Sequence, residues 1–356
     1  MNRILFAGGG TAGHIEPAWA VSQVWQARFP GDEIAFLGTK FGQEVEVIPN
    51  RGGKLFLIPK VTAPRKLNLS TLAFPFQLIS AISQSIRIVS KFDVVVGFGG
   101  YVSASAYLAA RILNKPVVLH DQNAKLGIAN KLGSKFAKEV LLAYPQTAGI
   151  NFSKMKNIKV VGNPLRAQIV EAAKVAELDW SKARANAKAS LGISGRLVLI
   201  LGGSSGSTAI NEVVASSKLE NCTVIHSVGK DNALPKASGN YRPVNYIEDM
   251  ATALLASDLV ISRSGGIATT EFAALGKYAL FIPLPIGNGE QALNANELVK
   301  AHKAEVISQM EFTSNWLDAN LERLLAQGSV AAYGTNLNSA QLIADAIERA
   351  ISGGAR

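Results

Sequence analysis

Residues 262–298, SRSGGIATTEFAALGKYALFIPLPIGNGEQALNANEL, follow the order strand end, glycine turn, helix, short apolar strand and polar glycine loop. The preceding apolar run predicts a buried parallel strand, after which Gly265 and Gly266 allow a sharp turn into a helix. The start of such a helix directs N–H groups and the positive end of its dipole outward, which suits a diphosphate. Glu271, one turn later, is placed to accept hydrogen bonds from a ribose, although capping of a buried helix is an equal alternative. The polar loop 287–291 favours a nucleotide-diphosphate site.

The composition predicts an ordered two-domain protein. The chain has 356 residues, of which 48% are hydrophobic and 17% charged. Cys222 is the single cysteine, which excludes a disulfide framework and suits a reducing cytoplasm. We expect no signal peptide, because the first apolar run ends at glycines within a few residues, and no membrane-spanning segment.

The excess of positive charge is confined to the first half of the chain. Residues 1–165 contain 19 Lys and Arg against 8 Asp and Glu, whereas residues 166–356 contain 17 against 18. A basic domain beside a neutral one predicts that the first meets an anionic surface or substrate. No zinc-finger spacing, aromatic RNA-binding motif or dense Arg run is present, so nucleic acid is not expected as a partner.

An anionic membrane surface is the better-supported partner, because residues 63–91 set apolar side chains between cations. The apolar residues are Leu67, Leu69, Leu72, Phe74, Phe76, Leu78 and Ile79, and the cations are Arg65, Lys66, Arg87 and Lys91. This pattern suits shallow insertion into the interface. The alternative is an ordinary amphipathic core helix with solvated lysines; Pro75 and the aromatic residues favour membrane contact.

Strand and helix patterns alternate along the whole chain. RILFAGGGTAGH opens a first series, which ends at the turn GNPLR (162–166), and RLVLILGGSSGS opens a second that includes a predicted strand at 244–247. Such alternation is typical of doubly wound parallel sheets. We therefore predict an α/β protein with two Rossmann-like domains, 1–164 and 165–335. A helix in the remaining segment, 336–356, is a candidate to pack back on the first domain.

Polar groups follow several predicted strands at the carboxyl edges of the sheets. Glycine loops at 8–13, 97–100 and 202–206 give backbone N–H groups access to an anion. His14 is a candidate general base or phosphate donor, although a histidine with only structural bonds is about as common at a helix start. Asp121 is a possible base and Asn123 a possible amide ligand, with an Asx turn as the alternative.

Neither a metal nor a cofactor is predicted. The four histidines are scattered, and no D-x-D pair is present to hold a metal-bound diphosphate. Charge on a leaving diphosphate must then be met by helix N-termini, hydroxyls and cations. Arg166, Ser204 and the turn before Glu271 are the candidates.

Seven ordered motifs resemble those of the MurG family, the peptidoglycan N-acetylglucosaminyltransferases of glycosyltransferase family 28. They are GGGTAGHIEPAWAVS, GGYVSASAYLAA, HDQNAKLGIANK, GNPLR, GGSSGS, SRSGG…TEFAALGKYALFIPLP and GEQALNAN, between residue 3 and about residue 300. The resemblance implies a GT-B fold, two Rossmann-like domains facing across a cleft. It further implies that the first domain binds lipid I at the cytoplasmic face of the cell membrane, as a peripheral protein, and that the second binds UDP-N-acetylglucosamine.

The resemblance also implies roles for individual residues. In the first domain, Thr11, Ala12, Gly13 and His14 would form the loop near the donor diphosphate and the acceptor, and Asn123 would contact the transferred sugar. In the second domain, Ile247 would bind uracil through its backbone, Glu271 the ribose and Gln291 the sugar hydroxyls. The remaining donor contacts would be Arg166, Ser204 and the helix start at Gly266.

Four positions depart from the commonest family pattern. Ala12 replaces a glycine and should crowd the phosphate loop slightly, and Asp121 replaces a glutamate, which shortens a possible base. Ser205 replaces a glutamine. Glu290 replaces the first residue of a glutamine pair, so the sugar contact falls to Gln291 alone.

The implied reaction is a direct, inverting displacement. The 4-hydroxyl of the muramyl sugar attacks C1 of the donor sugar, UDP leaves, and His14 or Asp121 takes the proton. Two other classes stay open: a UDP-N-acetylglucosamine 2-epimerase, which needs no membrane face, and a binding protein without catalysis. A nicotinamide dehydrogenase is disfavoured, because no acidic residue follows the first loop at ribose distance.

Overall fold

The computed structural model describes residues 1–61, 69–150, 157–285, 288–328, 332 and 334–353, without the side chains of residues 69–73. The chain forms two compact units. The first comprises Met1–Leu165 together with Asn338–Arg356, and the second comprises Arg166–Leu337. Each unit is built on its own parallel sheet.

In its described residues the first unit has seven strands: β1 (Arg3–Ala7), β2 (Glu33–Thr39), β3 (Leu55–Ile58), β4 (Val94–Gly97), β5 (Val117–Asp121), β6 (Glu139–Leu142) and β7 (Ile158–Val160). They pair in parallel in the order β3-β2-β1-β4-β5-β6-β7. The inner strands are continuous apolar runs because helices cover both faces of the sheet. These helices are α1 (Ala12–Arg28), α2 (Glu44–Asn50), α3 (Leu69–Val89), α4 (Gly100–Ile112) and α5 (Ile128–Gly133).

The second unit repeats this plan in the part of it that the structure describes. Its six strands are β8 (Leu197–Leu201), β9 (Thr223–Ser227), β10 (Tyr241–Val244), β11 (Leu259–Ser262), β12 (Ala279–Phe281) and β13 (Ala304–Val306). They form a parallel sheet in the order β10-β9-β8-β11-β12-β13. The helices are α6 (Ala167–Leu178), α7 (Trp180–Ser190), α8 (Thr208–Ala215), α9 (Met250–Ala256), α10 (Gly266–Ala274), α11 (Glu290–Asn294), α12 (Asn296–Lys300) and α13 (Ser314–Leu325).

The last helix, α14 (Ser339–Ser352), belongs to the first unit. Its buried Ile343 and Ile347 share a core with Trp25 of α1. Ion pairs join Arg28 to Asp345 at 2.6 Å and Arg349 to Glu139 at 2.8 Å. The chain therefore returns to the first unit after completing the second sheet.

The two parallel sheets confirm the predicted α/β class, with two differences in detail. The tenth strand spans Tyr241–Val244 rather than 244–247, because Tyr241 pairs with Val224 and its hydroxyl contacts His226 Nδ1. Strand β13 was not predicted, since three residues with a central glutamate carry no apolar pattern. None of the helices in the described part of the chain is long and apolar enough to cross a membrane.

The strand orders locate the point in each sheet at which the sequence order of neighbouring strands reverses. Reversal occurs between β1 and β4 in the first sheet and between β8 and β11 in the second. Ligands of open α/β sheets bind outside the carboxyl ends of the strands at this point. The loops after these four strands contain the glycine turns that the sequence singled out, so each unit has its candidate site at the reversal.

Candidate functional site

The second unit begins α10 where the sequence predicted a helix start. The helix runs from Gly266 to Ala274 directly after β11, and Gly276 follows with a φ of 57°, a conformation that favours glycine. Asn294 Nδ2 donates to the carbonyl of Ser264 at 3.0 Å and ties α11 to the turn. The N-terminus of α10 thus lies at the reversal point of the second sheet, as an anion site requires.

Glu271 lies in α10 and is only 5% exposed. Arg166 Nε and Nη2 approach its Oε1 at 2.9 Å and 2.8 Å. Such a buried, charge-assisted pair fixes both side chains in one geometry. The structure therefore places Arg166 on the predicted ribose-binding carboxylate, where it orients Glu271.

Arg263 is a buried residue of this site that the sequence analysis missed. Its guanidinium donates to Ser207 Oγ at 2.8 Å, to Gln309 Oε1 at 2.7 Å and to the carbonyl of Ile282 at 3.0 Å. These bonds join the ends of four neighbouring strands. Burial lowers the pKa of the guanidinium, but an arginine remains charged at neutral pH. The sequence feature that could have identified Arg263 was a cationic residue directly after a buried apolar strand.

Ser204 and Ser205 lie in the loop after β8 and precede the next helix. Helix α8 begins later, at Thr208, and Ser207 is its N-cap, accepting a hydrogen bond from Ile210 N. The loop turns at Gly206, with a φ of 75°, where an added Cβ would lie 1.9 Å from the carbonyl oxygen of Val228. Glycine is therefore required there, and the serines stand on the rim of the loop.

The other predicted donor contacts, Ile247 and Gln291, also belong to the second unit. Ile247 is buried after β10. Gln291 lies in the first turn of α11, and its Oε1 accepts from Leu284 N at 3.0 Å, so the side chain that was assigned to sugar hydroxyls contacts the loop after β12 here. Glu290 Oε2 accepts from Asn288 N at 3.2 Å. The replacement of glutamine by Glu290 thus brings a carboxylate into contact with the backbone of the polar loop.

In the first unit, the glycine loop is held by a buried carboxylate that the sequence analysis also missed. Glu44, 1% exposed, accepts from Gly10 N at 2.7 Å and from Thr39 N at 2.8 Å. A Cβ at Gly9 would lie 2.5 Å from Glu44 Oε1, so the glycine is required by this contact. Glu44 therefore sets the course of the loop.

The loop passes through Thr11 into α1. Thr11 is the N-cap with an extended backbone, and its carbonyl accepts from His14 N at 3.1 Å. Ala12 is the first residue of the helix, a position that alanine adopts without strain, and Gly13 follows it within the first turn. The replacement of glycine by Ala12 therefore needs no adjustment of the backbone.

His14 lies between the loop after β4 and the loop after β5. Its Nδ1 is 2.8 Å from the carbonyl oxygen of Phe98 and 2.6 Å from Gln122 Nε2. Burial lowers the pKa of the imidazole, while the Phe98 carbonyl and the charges of Asp121 and Glu44 oppose this shift. The ring is therefore neutral near pH 7 and able to accept a proton.

Asp121 has a different environment, since it is 2% exposed at the end of β5. Its Oδ1 accepts from Asn123 N at 3.0 Å, and its Oδ2 accepts from Gly127 N at 2.8 Å and from Asn130 Nδ2 at 3.0 Å. Burial raises the pKa of the carboxyl, and these hydrogen bonds oppose the rise. Asp121 therefore organises the loop that carries Asn123.

Comparison with known proteins identifies both units. The N-terminal domain of glycosyltransferase family 28 matches residues 4–142, and the C-terminal domain of that family matches residues 197–349. Two similar relatives are both UDP-N-acetylglucosamine–N-acetylmuramyl-(pentapeptide) pyrophosphoryl-undecaprenol N-acetylglucosamine transferases. The Corynebacterium glutamicum protein is 41% identical over 98% of each chain. The Streptomyces coelicolor protein is 39% identical over 91% of this chain and 89% of its own.

A solved structure gives the same result for the fold. The crystal structure of MurG from Acinetobacter baumannii matches with a TM-score of 0.72 and 28% identity, and the match covers 98% of this chain and 100% of that one. The chain therefore belongs to glycosyltransferase family 28 and, within it, to the MurG group.

Proposed function

We propose that this chain transfers N-acetylglucosamine from UDP-N-acetylglucosamine to the 4-hydroxyl of the muramyl sugar of lipid I. Lipid I is the N-acetylmuramyl-(pentapeptide) pyrophosphoryl-undecaprenol acceptor, and the products are lipid II, a precursor in peptidoglycan synthesis, and UDP. The observation that carries the proposal is the 41% identity, over 98% of both chains, to a transferase named for this reaction.

The first unit would supply the proton acceptor. Burial lowers the pKa of His14, and its Nδ1 contacts the Phe98 carbonyl, so Nε2 is the ring nitrogen that would face the reacting hydroxyl. As the 4-hydroxyl attacks C1 of the donor sugar, His14 takes its proton. Attack from the face opposite the leaving UDP inverts the configuration at C1. Thr11, Ala12 and Gly13 shape the loop near the donor diphosphate and the acceptor, and Asn123 contacts the transferred sugar.

The second unit would hold UDP-N-acetylglucosamine. The α10 N-terminus at Gly266 and the hydroxyl of Ser204 would stabilise the leaving diphosphate, because N–H groups and hydroxyls can meet that charge. Glu271, oriented by Arg166, accepts hydrogen bonds from the ribose. Ile247 contacts uracil through its backbone, and Gln291 turns from the Leu284 backbone to the sugar hydroxyls.

We further propose that α3 holds the protein on the anionic cytoplasmic surface of the membrane. Its inner face is buried through Ala81 and Val89, whereas Phe76 and Ile79 are 75% and 64% exposed. Large exposed apolar side chains on a basic unit suit an interfacial site. Arg65, Lys66 and Leu67 lie outside the described residues, and the side chains of Leu69 and Leu72 are likewise not described.

The decisive experiment is the release of UDP from UDP-N-acetylglucosamine with and without lipid I. We expect release only with lipid I, together with formation of lipid II. Appearance of the manno epimer without acceptor would identify an epimerase instead. Binding of the nucleotide sugar without release of UDP in the presence of lipid I would identify a binding protein.

A further inference from the structure

His14 Nδ1 makes two close contacts whose hydrogen-bonding requirements are incompatible. The Phe98 carbonyl oxygen is 2.8 Å away and requires a proton on Nδ1, whereas Gln122 Nε2 at 2.6 Å is itself a donor. At the other end of the same amide, Gln122 Oε1 is buried, and no hydrogen-bond partner for it lies in the described part of the chain. Oxygen and nitrogen of an amide are distinguished only by their hydrogen bonds, so exchanging the two ends is permitted.

This exchange removes the conflict at His14. With Oε1 facing the ring, Nδ1–H donates to two acceptors, the amide oxygen and the Phe98 carbonyl. The opposite tautomer would set the Nδ1 lone pair against the Phe98 oxygen at 2.8 Å, which is repulsive. We propose that Gln122 is a positioning residue that, with the Phe98 carbonyl, accepts the Nδ1 proton of His14 and thereby leaves Nε2 as the proton acceptor. This inference rests on the proposed function for its catalytic consequence, but not for the hydrogen bond itself.

Neighbouring groups restrict the position of the Gln122 amide. Its carbonyl oxygen accepts from Asn163 Nδ2 at 3.2 Å, and its side chain is buried. Asp121, the preceding residue, bonds the N–H groups of Asn123 and Gly127 and so fixes the turn. The amide therefore has little freedom to leave the imidazole.

The ring environment predicts opposite effects for two substitutions. Asp121 and Glu44 are the charged groups that act on His14, and both favour its protonated form. Gln122→Met removes one acceptor from the imidazolium, so the pKa of His14 should fall by about 0.5 to 1 unit. Gln122→Glu places a carboxylate against Nδ1–H, so that pKa should rise by about 1 unit or more.

The test combines a spectroscopic and a kinetic measurement. Nitrogen-15 NMR of the histidine rings reports tautomer and pKa, and with four histidines in the chain the His14→Ala spectrum assigns the signal. We expect the Nδ1–H tautomer in the unaltered protein and the two opposite pKa shifts in the variants. We also expect kcat for Gln122→Met to fall roughly five- to ten-fold, with KM for UDP-N-acetylglucosamine within about two-fold. Gln26→Met, at an exposed amide that bonds Pro30, is the matched control and should change neither quantity.

The outcomes separate the two proposals. An Nε2–H tautomer in the unaltered protein, which requires no variant to fold, overturns the inference. The inference also fails if Gln122→Met and Gln122→Glu leave the pKa of His14 unchanged. If the shifts appear as expected while His14→Ala transfers at the unaltered rate, the hydrogen bond stands and the assignment of His14 as the base is wrong.

Discussion

The glycine loops of the two units occupy equivalent places on their sheets, yet buried charges of opposite sign hold them. In the first unit Glu44 accepts from Gly10 N, and Asp121 accepts from Gly127 N in the neighbouring loop. In the second unit the guanidinium of Arg263 donates to the Ser207 hydroxyl and to backbone carbonyls. One scaffold is therefore organised by anions in one unit and by a cation in the other.

This difference agrees with the roles proposed for the two units, proton acceptance in the first and binding of the donor nucleotide in the second. A carboxylate that holds a loop uses up N–H donors and leaves negative charge nearby, which stabilises an imidazolium at His14. A guanidinium uses up carbonyls and leaves positive charge beside the N-terminus of a helix, which favours a diphosphate. The first unit suits a proton acceptor and the second an anionic leaving group.

The largest expected effect separates the chemistry of the first unit from the binding of the second. His14→Ala should reduce kcat by roughly 10²- to 10⁴-fold because the proton acceptor is lost. Affinity for UDP-N-acetylglucosamine, measured by calorimetry, should be unchanged. Asp121→Asn tests the competing base: a fall in kcat equal to that of His14→Ala, in a variant that keeps its fold, would favour Asp121.

The next test addresses the second unit. Glu271→Gln removes the charge that Arg166 neutralises and weakens the ribose contact, so affinity for UDP-N-acetylglucosamine should fall about ten- to a hundred-fold. Calorimetric titration measures this. Glu305→Gln, which breaks the exposed pair with Arg323 in the same unit, should have no effect on affinity. Equal losses of affinity in both variants would contradict the assignment of Glu271 to the donor site.

Acid should destabilise the two units alike, because each buries a neutral histidine. Burial lowers the pKa of both His120 and His226 to about 4, below the ordinary value of 6.5. The unfolded chain then binds more protons between pH 6.5 and 4, so the free energy of unfolding should fall as the pH drops through this window. Each histidine accounts for up to about 3 kcal/mol at its lower end.

Denaturant unfolding at several pH values measures this loss. His120→Gln and His226→Gln should each make the fall with decreasing pH less steep, and to a similar extent. An unchanged pH dependence in either variant would show that the histidine is not held neutral in that unit.

A smaller effect should follow from loosening the glycine loop of the first unit. Glu44→Gln removes one of the two acceptors that fix Gly10 and Thr39, so kcat should fall about ten-fold while affinity for UDP-N-acetylglucosamine stays within about two-fold. Gly9→Ala should act in the same direction, since its Cβ would meet the carboxylate. A loss of nucleotide-sugar affinity with full kcat would contradict the division between the units.

The smallest expected effect concerns the membrane. Phe76→Ser and Ile79→Ser should each weaken association with vesicles of anionic phospholipid by roughly ten-fold, as measured by sedimentation. Leu178→Ser is the matched control, because Leu178 is 88% exposed but lies on the second unit. Equal loss in all three variants would mean that apolar exposure, not its place in the first unit, controls binding.

Much of the fold and part of the site could be predicted from local pattern. Apolar runs identified most of the described strands, although the tenth was predicted three residues too late and β13 was missed. The helix start at Gly266 lies where the sequence placed it. Glu44 and Gln122 were missed because their roles depend on neighbouring loops. Glu44 meets the Gly10 loop only because β1 pairs with β2, and Gln122 meets His14 only because the loops after β1 and β5 converge.

The sequence by itself determined that glycine turns follow buried strands, because backbone freedom and apolar runs are local properties. It also determined the excess of basic residues in the first half, which requires only counting. Only the tertiary structure decided which charges hold those turns, since Glu44 and Arg263 act on atoms supplied by other strands. It likewise decided the surroundings of His14 and Asp121, because burial and hydrogen-bond partners, not residue type, set the direction in which each pKa moves.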